Sequence, residues 1–372
     1  MMSPQHSFAP GRKAFTLVEV LVSMTVLLIL LLISAQVIGT VQSTWTSSNA
    51  RVSQFREART AFDIITRNLS QATLNTYVDY DDSYLKDGVS NANISTRAPT
   101  KYLRKSDLRF ICGPSVAAEG SPMDGLLAQA GGRAYSPGHA VFFQAPLGVS
   151  HDPAYVGLDR LLCGRGYFVQ YTSDEFFRPD VLPVGVPNYR YRLMEFSPPA
   201  EKNLIYDEND KLKWFQQAGA PIPNEETPIE RGFTRPIADN IVALIISPQV
   251  ETAAALAGTA DGTAAATYQS VYSYDSAGEL IPLPEDDRHR LPPLVKVVLV
   301  AIDERTADRL SQEGTPGTPP FGNDIADLIG GDDNEVDVNE TVEAIAAKLR
   351  ERRINYRIFS STVSLRGAKW SR

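Results

Sequence analysis

The sequence predicts an α+β protein: one long N-terminal helix, membrane-spanning and then amphipathic, packed on a head dominated by antiparallel β-sheet. Three observations predict it. Val20 to Gly39 hold no charge, apolar residues recur in helical steps from Phe55 to Ala72, and beyond Tyr77 short apolar runs alternate with Gly, Pro, Asn and Asp.

The composition sets the bounds. At 372 residues the chain holds one large domain or two modest ones plus an appendage. With 43% hydrophobic and 22% charged residues it resembles soluble globular proteins, which excludes a disordered, collagenous or multi-span chain. Lys and Arg number 36 against 44 Asp and Glu, a formal charge of −8, so a general nucleic-acid coat is not expected.

The 20 residues from Val20 to Gly39 have Ser23, Thr25, Ser34 and Gln36 as their polar side chains. As a helix they span about 30 Å, one hydrocarbon core. Residues 1–14 carry Arg12 and Lys13 and no acid, so positive-inside bias keeps the start cytoplasmic and sends everything after Gly39 across the membrane. A cleaved secretory signal has a shorter apolar region, about 7–15 residues; here the helical pattern continues past the run. Glu19 stands at the cytoplasmic edge of that run. A carboxylate costs roughly 2.5–3.5 kcal/mol at a membrane helix centre and less near an interface. Either it snorkels to headgroups at the positive helix end, or it meets a cation within an assembly.

Arg12-Lys13-Ala14-Phe15-Thr16-Leu17-Val18-Glu19 followed by an apolar run resembles the class III signal of type IV pilins and type II secretion pseudopilins. The resemblance implies a leader of residues 1–14, cleavage by a prepilin peptidase between Ala14 and Phe15, and N-methylation of Phe15. Glu19 becomes the fifth mature residue. The family has Gly where Ala14 stands; a cut at Gly11 would leave Arg12 and Lys13 on the mature end. The new ammonium and Glu19 both lie in low dielectric, where unpaired charges are costly. When such helices stack with an axial stagger, the Glu19 carboxylate of one subunit meets the ammonium of its neighbour and sets the register.

After the spanning segment (15–39) comes an amphipathic continuation (40–76). Phe55, Ala58, Phe62, Ile65, Leu69 and Ala72 form one stripe and the helix is expected to reach about Leu74. The head, 77–372, is read as strands at Leu108–Cys112, Ala140–Gln144, Gly166–Tyr171, Tyr189–Phe196, Asn240–Ser247, Leu294–Ile302 and Asn355–Leu365. Ile241–Ile246 and Val295–Ile302 are nearly all apolar, as central strands are. Residues 253–267, rich in Ala, Gly and Thr, and 311–337, rich in Gly, Pro and Asp, read as surface-loop insertions. A short helix from Glu340 to Arg353 leads into the last strand.

Phe55-Arg-Glu-Ala-Arg-Thr-Ala-Phe62, Leu291-Pro-Pro-Leu-Val-Lys-Val and Phe359-Ser-Ser-Thr-Val-Ser-Leu-Arg366 are similar to the large minor pseudopilins, the J-type secretion subunit and the W-type minor pilin. The whole length also resembles the Verru_Chthon cassette protein C group. These resemblances imply a structural minor subunit, its large head suited to a filament tip. Its partners would be other pilin or pseudopilin subunits, a prepilin peptidase and the inner-membrane assembly platform. A membrane-anchored periplasmic binding or adhesion protein that does not enter a filament is the alternative.

No enzyme, cofactor or metal is expected. His6, His139, His151 and His289 are scattered, and no HExxH, GxSxG, GxxxxGK[ST] or GxGxxG motif occurs. The acidic runs around Asp79 and Asp332 lack EF-hand spacing. Eight basic residues and one acid between Lys348 and Arg372 suit a helix C-terminus more than DNA. Cys112 and Cys163, each followed by Gly, are either two buried thiols or one bridge between strands, which an extracytoplasmic location would preserve.

Overall fold

The computed structural model describes residues 16–80, 101–115, 136–155, 157–158, 160–174, 187–207, 212–216, 218, 233–251, 268–314, 318–321, 324–329 and 337–370. Two compact units divide the chain, Met1–Ser53 and Gln54–Arg372.

From Leu17 onward the first unit is helical, as the beginning of α1 (Leu17–Leu69). The helix contains no Pro and, of glycines, only Gly39, so nothing interrupts its hydrogen-bond ladder. Every large apolar side chain from Leu17 to Trp45 is exposed.

In the second unit the helical stripe is buried: Ala58, Phe62, Ile65, Leu69 and Ala72 all enter the core. Ile65 and Leu69, fully buried, each stabilise by about 1.5–3 kcal/mol. This is why the unit begins at Gln54 rather than at Tyr77. The helix stops at Leu69, short of the expected Leu74. Thr73 donates its N–H to Gln144 O at 2.9 Å, and Asn75 Oδ1 accepts the N–H groups of Asp107 and Leu108, so these residues are tied to the head instead of continuing the turn. Ala72 keeps the stripe's burial outside the helix.

The remaining elements are β1 (Tyr77–Tyr80), β2 (Tyr102–Lys105), β3 (Ile111–Pro114), β4 (His139–Pro146), β5 (Leu162–Ser173), β6 (Tyr189–Phe196), α2 (Lys213–Gln216), β7 (Thr234–Asp239), β8 (Ile241–Glu251), β9 (Tyr268–Ser270), β10 (Tyr274–Asp275), β11 (Leu294–Ile302), α3 (Glu304–Glu313), α4 (Asp324–Ile329), α5 (Val338–Glu351) and β12 (Tyr356–Ser364). They build a six-stranded sheet ordered β10-β3-β4-β5-β6-β7, a four-stranded sheet ordered β12-β11-β8-β9, and the pair β1-β2. Every described pairing is antiparallel. The fold is α+β, a long N-terminal helix followed by a sheet-rich head.

Alternation on the six-stranded sheet sorts its side chains between two clusters. Val141, Phe143, Tyr167, Val169 and Leu193 face the main core with β8 and β11. Ala140, Phe142, Phe168, Met194 and Phe196 face the other way, under Ile205, Trp214 and Phe215. β8 and β11 are buried on both faces, which accounts for their continuous apolar runs. The two sheets meet closely at Gly138 and His139: a Cβ on Gly138 would lie 2.8 Å from Leu244 O. His139 Nδ1 is 3.0 Å from Ile246 N and Nε2 is 3.3 Å from Ile329 O.

One expectation is corrected here. Residues 311–337 are not simply a surface loop: α3 extends to Glu313, and α4 buries Ile325, Ala326 and Ile329. Ile325 and Ile329, one turn apart, join the main core. Residues 253–267 lie outside the described residues. α5 falls where a short helix is expected, with Ile345, Ala346 and Leu349 buried and Asp337 accepting the N–H of Asn339 at its start.

Candidate functional site

The site begins with the cap of α1. Thr16 precedes the first helical residue, and both its carbonyl (3.1 Å) and its Oγ1 (3.3 Å) accept the Glu19 N–H. Thr16 is therefore the N-cap and Glu19 the third helical residue, the spacing of a capping box. A carboxylate there sits at the positive end of the helix dipole. Thr16 is the residue that reading the chain for charge alone overlooks; the Thr-x-x-Glu spacing is the signal that finds it.

Glu19 is the one ionisable side chain between Leu17 and Ala50. Its carboxylate has no hydrogen-bond or ion partner among the described residues. Several hydroxyls along the rod bond within it: Ser23 donates to Val20 O, Thr25 to Val22 O, Thr40 to Gln36 O and Ser43 to Thr40 O, all at 2.8–2.9 Å. Such internal bonding removes the need for water. Within Leu17–Thr46 the most apolar 18-residue window has a mean hydropathy of 2.7 and none of it is buried, and among the described residues this is the one helix long and apolar enough to cross a membrane. What remains is an apolar rod with a single fixed anion in its first turn. Arg12, Lys13, Ala14 and Phe15 lie outside the described residues.

A methylation motif marks this end of the chain. Residues 10–35 match the family model described as the prokaryotic N-terminal methylation motif, a window that includes Arg12, Lys13, Ala14, Phe15 and Glu19. A solved type IV-like pilin from Thermus thermophilus aligns with 84% of this chain and 95% of its own, at 10% identity and a TM-score of 0.28. No curated protein matches the chain.

The cysteines are not a bridge; both are free and buried. Cys112 on β3 stands opposite Val141 of β4, and Cys163 on β5 stands opposite Ala145 of the same strand. They are thus separated by two strand spacings, about 10 Å, and by four residues along the strands, about 13 Å. A disulfide needs Cα atoms within about 7 Å. Burial pushes both thiols up from their ordinary pKa, which leaves them unreactive. Among the described residues no three His, Cys, Asp or Glu side chains are grouped to hold a metal ion.

Proposed function

We propose that this chain is a minor subunit of a type IV pilus or a type II secretion-like pseudopilus, assembled through its N-terminal helix. The observation that carries the reading is the methylation motif over residues 10–35 running into an exposed apolar stretch of α1 in which Glu19 is the one charge up to Ala50. In this reading a prepilin peptidase cuts between Ala14 and Phe15. The methylated ammonium of Phe15 then lies one residue before the Thr16 cap, and Arg12 and Lys13 leave with the leader. Glu19 pairs with the ammonium of a neighbouring subunit as the platform feeds helices out of the inner membrane. The rod's apolar surface supplies most of the packing, and the charge pair penalises wrong offsets. The leader faces the cytoplasm and the head the periplasm. The size of the head favours a tip position over a repeated shaft position, where it would crowd its neighbours.

Intact mass of the protein from membranes of cells with an active prepilin peptidase tests the reading. The expected species begins at Phe15 and is heavier by one methyl group. A chain still carrying Met1, or one cut elsewhere and unmethylated, overturns it in favour of a membrane-anchored periplasmic binding protein.

A further inference from the structure

The exposed edge of the four-stranded sheet is built to accept another strand, and we infer that β12 binds an extended, acidic peptide segment of a partner protein by β-strand addition. The other edges of the two larger sheets are blunted. β7 contains Pro236 and a register shift, β9 has three residues and β10 two. β12 has none of these features: its pairing with β11 runs unbroken through nine residues from Tyr356 to Ser364, with no Pro and Arg357 as its one charge, and the residue after α1 meets its outward side only past the strand's end, where Arg366 N–H donates to Ser70 O at 3.1 Å. Such an edge is a template for a further strand.

The hydrogen bonds at its two ends show which groups are available. Leu365 N–H donates to Pro293 O, and Asp303 N–H donates to Asn355 O. Residues 355 and 365 therefore bond toward β11, as do the odd-numbered residues between them, because antiparallel pairs alternate. The backbone groups of Tyr356, Ile358, Ser360, Thr362 and Ser364 point away from β11 and have no backbone partner among the described residues. Ser360, Thr362 and Ser364 are exposed.

Charge selects the partner. Arg353, Arg357 and Arg366, before, within and after the strand, are all exposed and have no carboxylate partner among the described residues, although the chain as a whole is acidic. Arg357 instead lies over the rings of Phe55 and Phe359, at 5.9 and 5.6 Å. Arg366 also lines, with Arg160, a cleft of about 350 Å³ whose other walls are Gln71, Ala72, Thr73, Pro146 and Gly367; its lining includes two arginines and no acid. The same cations oppose a second copy: full-length antiparallel pairing of two β12 strands would place Arg366 of one opposite Ile354 of the other and Arg353 opposite Gly367, so that the two cations gather one residue apart at each end of the pair, and like charges close together across strands destabilise.

The test uses the full chain in detergent micelles and a fluorescein-labelled peptide, Asp-Glu-Thr-Val-Thr-Val-Thr-Glu-Asp, followed by anisotropy and amide hydrogen exchange. Binding should protect the Ile358, Ser360 and Thr362 amides and weaken with salt. A peptide with Lys in place of its acids should not bind. Thr362→Pro removes one outward N–H while leaving every bond to β11, so it should weaken binding about tenfold with the Phe359 and Ser361 amides still protected. Arg357→Gln combined with Arg366→Gln should weaken binding and flatten its salt dependence. Unchanged affinity in Thr362→Pro, equal binding of the Lys peptide, or an edge closed by dimerisation in sedimentation overturns the inference.

Discussion

Arg109 grips Asp275 with both arms of its guanidinium, Nε 2.7 Å from Oδ1 and Nη2 2.6 Å from Oδ2, where the two side chains are 5% and 0% exposed. The same carboxylate accepts N–H groups from Ala277, Glu279 and Leu280, so it organises the turn after β10 while tying β10 to the residue that leads into β3, its neighbour in the sheet. Removing the arginine leaves a buried anion. Arg109→Leu should therefore cost about 3–5 kcal/mol in urea unfolding of the detergent-solubilised chain, and Arg109→Lys less. A loss within about 1 kcal/mol, the size of a surface pair, would mean water reaches the site.

His139 predicts an acid-sensitive head. Burial holds its pKa down at about 4, below the ordinary 6.5, against weaker opposing bonds to Ile246 and Ile329, and its ring packs edge-on against Tyr272. Above pH 6.5 the imidazole is neutral whether the chain is folded or not, and it contributes no pH dependence. Between pH 6.5 and 4 the unfolded chain takes up the proton and the folded one does not, so stability falls with falling pH, by about 3 kcal/mol in all. Replacing His139 with Gln should remove that part of the slope between pH 7 and 4, read from urea midpoints. Parallel slopes for the two proteins would place the acid sensitivity in the carboxylates.

How far the residues foretell this arrangement varies with the physical signal each carries. β8 and β11 are legible because Ile241–Ile246 and Val295–Ile302 are apolar on both faces, and only a sandwiched strand is. α3 is not: its ten residues are mostly charged or polar, and Thr306, Ala307 and Leu310 are the buried ones. α4 is obscured by the Gly, Pro and Asp around it. The end of α1 falls five residues before the expected Leu74 because Ala72 continues the stripe by burial without continuing the helix. The state of Cys112 and Cys163 depends on strand order and register, which composition does not encode. At the N-terminus the charge pattern exposes Glu19, while its cap, Thr16, emerges only from its place three positions before Glu19.

Gly138 should tolerate no side chain. Its φ is +93°, and a Cβ would lie 2.8 Å from Leu244 O and 3.2 Å from Leu244 N, backbone atoms of β8 that a rotamer change cannot move. Gly138→Ala combines left-handed strain with overpacking between the two sheets, and each costs about 1–3 kcal/mol. The expected result is a clear fall in the urea midpoint at pH 7. An unchanged midpoint would mean that β4 and β8 separate more easily than their packing implies.

Glu19 bears the most weight in the proposed assembly, and its two roles separate experimentally. If it only complements the helix dipole at the Thr16 cap, Glu19→Gln loses roughly 0.3–1 kcal/mol, and membrane insertion and assembly are unaffected. If it pairs with a neighbour's ammonium, the neutral amide leaves that cation unpaired in low dielectric, a penalty of several kcal/mol. Chains carrying Glu19→Gln should then be processed at Phe15 yet remain in the membrane fraction, at least about tenfold depleted from sheared filaments relative to the parent. Thr16→Ala supplies the comparison, since it removes the capping bond and keeps the carboxylate. Equal incorporation of the Glu19→Gln variant and the parent would reduce Glu19 to a dipole partner and remove the charge pair from the assembly.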